Sequence, residues 1–553
     1  MKTRLAKTMA LAAALSLLVT GCGGASGSGG GKGSSGDTGS ANELHLRREG
    51  SPETIDPALN AASDGSEMIL HLSEGLFRFG EDSELEEGIA ESYEVSDDNL
   101  TYTFHLRDGL KWSDGSDLTA EDLVYTWKRV ADPMTASPYA YDLLNYLKGW
   151  KEATDAKNPN PDALGVSAPD PKTFVVELVT PCTFFEQICA HAVLSPVQKA
   201  AVETGDSWAT NPATYVSDGA YKLTAYTPGD VIVMEKNENY WDADHVTFDK
   251  LTWHLIEDDT AAYAAYQDGA LDFCFRVPTE EIPSVQDNKE FHTDSLMGTY
   301  FLVYNTTKAP FDNPLVRQAL SLAIDRKYVA DTIMLGTYAP AKNFVGPGVS
   351  DVEKGSSFEE VTTKKYGDHF HIDDYDADLK RAKELLAEAG FPGGKGFPEI
   401  QYSTNDSEFH KPLAEYLQSA WKDELGITVN IDIQEWNTFA ADRRAGNFEV
   451  ARHGWSYDWD DPSNMINLFE TDNGNNDGKY SNPTFDKLVD NARKTTDAKE
   501  HFDFLHQAEQ EILDQAGCAP VAYYNDMWMQ RSNLKGVWHT PYGYYFYMHG
   551  SFE

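Results

Sequence analysis

The sequence predicts a mixed α/β protein with several sheets. Strand-like and helix-like stretches alternate without an internal repeat, the portion after the first 41 residues is about 500 residues long, and its make-up is globular. Of 553 residues, 41% are hydrophobic and 24% charged, ordinary values for a chain with a buried core. A single core seldom grows past roughly 250 to 300 residues, so more than one sheet and about two to four domains are expected.

At the N-terminus, Lys2, Arg4 and Lys7 form a positive region, residues 9–19 an apolar stretch, and Val19-Thr20-Gly21-Cys22 has the form of a lipobox. The stretch is too short to span a bilayer, which takes ~20 apolar residues, and no later segment offers such a run free of charges. Residues 1–21 therefore read as a lipoprotein signal peptide and Cys22 as the lipidated residue, which places the mature chain on the outer face of the cytoplasmic membrane. An ordinary secreted protein is the alternative. Residues 22–41 are almost all Gly, Ser, Ala, Asp and Thr, a flexible tether with a reach of about 25 Å. Within it, Gly31-Lys32-Gly33-Ser34-Ser35-Gly36 has the glycine spacing of a dinucleotide loop, but no strand precedes it and no helix follows, so that reading is rejected.

Further on, residues 101–106 alternate as a half-buried strand, and Thr119-Ala-Glu-Asp122 is a capping box opening a helix toward Val130. Asn313-Pro314 and Asn482-Pro483 each set an N-cap before a proline at the first helical position. Asp376 is expected to cap a helix over 377–389, ended by Gly390 and Pro392. The apolar runs 173–179, 231–235 and 427–433 suit strands buried in sheets.

The formal charge of −44 argues against nucleic acid or an anionic membrane surface as a partner, since both repel it. With Cys22 assigned to lipid, Cys182, Cys189, Cys274 and Cys518 remain. Their spacing is not a zinc pattern, and buried free thiols are expected, with one disulfide open.

Several long segments carry a resemblance. They are Ser51-Pro-Glu-Thr-Ile-Asp-Pro-Ala-Leu59, Leu72-Ser-Glu-Gly-Leu76, Thr101-Tyr-Thr-Phe-His-Leu-Arg-Asp-Gly109, Trp112-Ser-Asp-Gly115 and Ala131-Asp-Pro-Met-Thr-Ala-Ser-Pro-Tyr139. Asn305-Thr-Thr-Lys-Ala-Pro-Phe311, Arg317-Gln-Ala-Leu-Ser-Leu-Ala-Ile-Asp-Arg326 and Tyr480-Ser-Asn-Pro483 continue it. In order and over nearly the whole body, they resemble the oligopeptide-binding lipoproteins of peptide ABC importers, the extracellular solute-binding proteins of family 5. Relatives there carry dipeptides, metal chelates, haem or sugars. The resemblance implies a two-lobed periplasmic-binding-protein fold of the type II, Venus-flytrap kind with an extra third domain. Carried over, residues 42–73, 196–305 and 525–553 form lobe I, 74–195 the extra domain II, and 306–524 lobe III.

The same resemblance implies the site. Asp458 stands where the family receives a peptide's α-ammonium group, and Arg443, Arg452 and His410 where it meets the C-terminal carboxylate, as cations serving peptides of about three to five residues. Gly454 and Ser456 fall where the ligand's main chain is paired, Ser63 doing so from the opposite lobe, and Tyr139 and Trp455 line the cleft. Some relatives have a cysteine at the position of Ser456, so a disulfide to the Cys274 region is absent here. Where some have a ligand-facing glutamate near the first strand, this chain has Ala61. The aromatic cluster at 542–547 reads as packing rather than a binding platform. No cofactor is implied, and the partners are short peptides and a permease with cytoplasmic ATPases.

The competing class is a secreted hydrolase. No His-Glu-x-x-His, Gly-x-Ser-x-Gly or Walker motif is present, and carboxylate pairs in a chain with 89 acids do not discriminate a glycosidase. His369-Phe-His371 with Asp368, Asp373 and Asp374 is the one metal-like cluster, and it reads better as a solvated acidic loop.

Overall fold

The computed structural model describes residues 42–553 other than 82, 83, 354 and 408. The signal-like segment, Cys22, the tether and its glycine motif lie outside the described residues.

Strand β1 (Glu43–Arg48) enters the middle of an eleven-stranded mixed sheet and runs parallel to both neighbours. Helix α1 (Ser63–Leu72) then packs Met68, Ile69 and Leu72 inward. A separate antiparallel sheet follows, made of β2 (Ala90–Val95), β3 (Thr101–Leu106), β4 (Val166–Asp170) and β5 (Thr173–Glu177) in the order β2-β3-β5-β4. The expected alternation holds in β3, where Tyr102, Phe104 and Leu106 are buried. Helix α2 (Ala120–Ala131) starts at the predicted box: the Asp122 carboxylate accepts the Thr119 N–H at 2.8 Å and its hydroxyl at 3.2 Å. Its Trp127 stands edge-on to Phe174 at 5.2 Å, closing this sheet's core. Short helix α3 (Ala140–Leu144) begins beside Tyr139.

The large sheet is completed by β6 (Tyr221–Thr227), β7 (Val231–Lys236), β8 (Lys250–Leu255), β9 (Phe273–Phe275) and β10 (Phe291–Tyr304). Then come β11 (Ile400–Asn405), β12 (Val429–Gln434), β13 (Val450–Ser456) and β14 (Cys518–Gln530). Its order is β12-β11-β13-β10-β14-β9-β1-β8-β7-β6, with Ala339–Pro340 added against β14. The two long strands tie its halves together. The first part of β10 pairs with residues 525–529 of β14 and the second with 518–523, and the register shifts across Leu296, Met297 and Gly298 between them.

Helices α4 (Pro314–Leu322), α5 (Tyr375–Glu388), α6 (Lys411–Leu425), α7 (Trp436–Ala445) and α8 (Pro483–Lys494) flank the second half. Asn313 and Asn482 cap as expected, accepting the N–H of Leu315 at 3.0 Å and of Thr484 at 2.9 Å. Helix α5 begins earlier than predicted, with Asp374 at the N-cap and Asp376 in the first turn, where its charge still suits the helix dipole.

Three strand expectations need correction. The 173–179 strand stops at Glu177, and Val179 is 60% exposed beyond it. Strand β7 buries only Ile232 and Met234, alternating rather than sinking whole. The 427–433 run becomes β12 at the edge of the sheet, with Ile433 45% exposed. In each case the number of covered faces, a tertiary property, overrode the local apolar run.

Candidate functional site

A cavity lies beside the register shift of β10 and β14. Asp458, Arg443, Arg452, His410, Gly454, Trp455, Ser456, Tyr139 and Ser63 all line it, although they come from segments far apart in the chain. Strand β13 forms one wall. Along Val450–Ser456 it pairs with β10, but β11 meets it only at Val450 and Ala451, so among the described residues its other edge is unpaired from Arg452 onward. Beyond Ala451, Asn405 at the end of β11 meets β13 through its side chain, accepting the Arg452 Nε–H at 2.7 Å. A free strand edge offers N–H and C=O groups that must find partners.

The composition of β13 follows from its two faces. His453 and Trp455 are buried while Arg452, Gly454 and Ser456 are partly open. A side chain at Gly454 would fall on the Tyr524 hydroxyl, so only glycine lets that ring stand against the strand. Ser63 opens α1 and is exposed toward the same space.

At one end sits Asp458, 6% exposed. Tyr139 and Tyr544 donate to its carboxylate at 3.1 and 3.4 Å, Asn464 Nδ2 at 3.2 Å, and His191 Nε2 lies 3.2 Å away. The Nδ1 of His191 accepts the Val193 N–H at 3.2 Å, which assigns the ring proton to Nε2, facing Asp458. Burial, with the Asp458 charge beside them, keeps both tyrosine hydroxyls well above their ordinary range, so they stay neutral donors. Among the described residues the Asp458 side chain is held by hydrogen-bond donors and not by a Lys or Arg, which leaves it suited to receive an incoming cation.

The other end is positive but differs from expectation. Arg452 stacks on Trp436 and Phe439 at 5.3 and 5.4 Å and has no acid partner among the described residues. Arg443, at the last turn of α7, is already committed through Nε to Asp477 at 2.7 Å. Burial alone would raise the Asp477 carboxyl, but Arg443 and His453 pull it down to about 2. His410 is not a cation. Burial, reinforced by Arg452 and Arg276, holds its ring well below the ordinary histidine range, leaving a neutral group 3.3 Å from the Tyr300 hydroxyl.

Other residues here had no individual signal in the sequence. Tyr542 and Tyr544 line the cavity, so part of the 542–547 cluster read as packing faces the site instead; the rest packs inward, Tyr545 and Tyr547 donating to Asp526 and Glu67. Ala61 does line the cavity, yet so does Glu49, directly after β1 and 3.0 Å from Arg276, so a carboxylate is present on that side. The four described cysteines are buried free thiols. In the 368–374 loop, His371 Nδ1 bonds Asp378 at 2.6 Å, and among the described residues no group of three or more His, Cys, Asp or Glu is placed to hold a metal.

The chain matches the family described as bacterial extracellular solute-binding proteins, family 5, over residues 84–477. It is 34% identical over 504 residues to the oligopeptide-binding protein OppA of Bacillus subtilis, spanning 89% of this chain and 90% of that protein. Haemophilus influenzae OppA in complex with RPPGFSPFR superposes with a TM-score of 0.85 at 29% identity, covering 93% of this chain and 99% of that one. The Escherichia coli murein tripeptide binding protein MppA superposes at 0.84 with 31% identity, over 91% and 97% of the two chains, whereas its unliganded open form reaches 0.61. These likenesses establish a multi-domain, two-lobed α/β architecture of the periplasmic-binding-protein kind.

Proposed function

Since the chain belongs to the bacterial extracellular solute-binding proteins of family 5, which bind solutes and are not enzymes, we propose that it captures short peptides in the cavity along β13 and delivers them to an ABC permease. One observation carries this reading: an open strand edge runs between a carboxylate, Asp458, that no Lys or Arg pairs among the described residues, and a guanidinium, Arg452, that has no acid at ion-pair distance among them. An extended peptide is the complement of that arrangement, with an ammonium at one end, a carboxylate at the other and backbone amides between. The names of the relatives, and the RPPGFSPFR held by one of them, support peptide as the ligand class.

The main chain of the peptide would pair with Gly454 and Ser456, with Ser63 opposite, while Tyr139 and Trp455 cover it. Arg452 would meet the C-terminal carboxylate directly, with Arg443, already paired with Asp477, and the neutral His410 beside it. Arg452 and Asp458 are separated by no more than about 20 Å of extended backbone, which, less the reach of the arginine, suits about three to five residues.

Residues 42–73, 196–305 and 525–553 would form one lobe, 306–524 the other, and 74–195 the additional domain. The small sheet β2-β3-β5-β4 falls wholly within the last of these. The crossings between lobes would fall just after β10 and within β14, and ligand would favour the closed state by touching both sides. A lipid on Cys22 and the tether at 22–41 would hold the body at the outer face of the membrane, with ATP hydrolysed by the partner.

The test is Asp458→Ala in calorimetric titration with a short peptide. Affinity should fall about 10²-fold or more with the unfolding midpoint unchanged, taking the lower part of the range for breaking a buried pair. Unchanged affinity would remove Asp458 as the ammonium partner.

A further inference from the structure

Four arginines line the cavity, and three face a carboxylate. Arg48 lies 3.2 Å from Glu67, Arg276 3.0 Å from Glu49, and Arg443 2.7 Å from Asp477. Arg452 bonds only the neutral amide of Asn405 among the described residues. The Arg443–Asp477 pair is also built in from behind. Asp477 is 3% exposed, and His453 Nε2 approaches the same Oδ2 at 3.4 Å. His453 Nδ1 lies 2.8 Å from the Gly454 N–H and 3.0 Å from the Gly454 carbonyl, and Phe301 stacks on that ring at 4.7 Å, which fixes Nε2 toward Asp477.

We propose that Asp477 is a positioning residue that withdraws the charge of Arg443 from the ligand, so that Arg452 reads the peptide's C-terminal carboxylate and Asp477 thereby sets the preferred peptide length. The proposal rests on reading the cavity as a peptide site. Its physics is charge counting at short range. A guanidinium whose charge is cancelled at hydrogen-bond distance attracts a second carboxylate only as a dipole, and that carboxylate must also approach Asp477. Arg452, held by a neutral amide and two aromatic rings, has no carboxylate at ion-pair distance among the described residues; Glu49, whose charge it feels, is paired with Arg276. Arg443 and Arg452 also repel each other, so Asp477 makes it possible for both to stand in one cleft before any ligand arrives. Asp477 lies at the end of an asparagine-rich loop, and nothing in its local sequence marks it as part of a binding site.

The test uses neutral alanine peptides of increasing length, each with a free or an amidated C-terminus, titrated calorimetrically against the wild type and variants. In the wild type, amidation should cost about tenfold or more only at the lengths that reach Arg452, and Arg452→Gln should abolish that cost. Arg443→Gln should cost at least about tenfold less than Arg452→Gln at those lengths. Asp477→Asn should create a new amidation penalty at a different length, lost again when Arg443→Gln is added and reversed by Asp477→Glu.

Arg443→Gln costing as much as Arg452→Gln in the wild type would overturn the proposal. So would Asp477→Asn weakening free and amidated peptides alike at every length, the mark of a merely structural role. Should Asp477→Asn fail to fold, the comparison of the two arginine variants still decides. A wild type that binds no peptide would remove the peptide reading itself, whereas binding without the Arg452-linked length profile would remove this proposal alone.

Discussion

Asp142 shows how single titratable groups tie this molecule to pH. It sits on α3, buried, with Asn473 and Asn475 donating to it at 2.6 and 3.2 Å. Facing it are Glu470, whose charge Arg493 takes at 2.5 Å, and the hydroxyls of Tyr141 and Tyr139, the former 3.3 Å from Glu470. Burial, then the Glu470 charge, push Asp142 up to about 7. In the proposed division Asp142 belongs to the additional domain and its asparagine partners to the 306–524 lobe, so an opening that parts the two would return it to an ordinary carboxylate. Its value is raised while those partners face it, so closure takes up a proton between the ordinary carboxylate range and about 7; the stabilisation of the closed form is complete in acid and is lost as pH rises through about 7. Peptide affinity should therefore weaken roughly tenfold from about pH 6 to pH 8, and Asp142→Asn should flatten the profile. A flat wild-type profile, or a steep one in Asp142→Asn, would contradict this. The residues of the site were legible only through family resemblance, which named the nine that meet in the cavity. The neutrality of His410 and the turn of Tyr544 toward Asp458 were not, because each depends on neighbours far away in the chain.

Strand β13 is the element on which the site depends. Its free edge exists because β11 leaves it after Ala451, and its smooth face exists because residue 454 has no side chain. Gly454→Ala should destabilise the protein by about 1–3 kcal/mol, as overpacking does, and lower affinity for free and end-blocked peptides alike. Tyr524→Phe should not rescue it, since the ring carbon Cζ also lies 2.8 Å from the added methyl position. Chemical denaturation with parallel titrations checks both, and an unaffected Gly454→Ala would contradict the wall assigned to Tyr524. Helix starts were legible in sequence because Asn313 and Asn482 act on amides two residues on, and Asp122 on the amide of Thr119 three residues back. Strand ends and burial were not: Val179 and Ile433 read as core and stand in solvent, since coverage of a sheet face is decided by distant segments.

For the whole molecule, two long strands with a shared register shift join the halves of one sheet, and the cavity lies where they cross. That crossing is invisible to composition, because no proline-rich or charged linker marks it. The TM-score to one MppA structure is 0.84 and to its unliganded open form 0.61, so the described body is nearer the former. The whole chain carries a formal charge of −44, which anionic lipid repels. The most direct test of the central claim is native mass spectrometry of residues 42–553 with a mixed peptide library and its N-acetylated copy. Retention of short free-amine peptides, abolished by acetylation, is the expected result. No uptake of peptide, or equal uptake of both libraries, would contradict it.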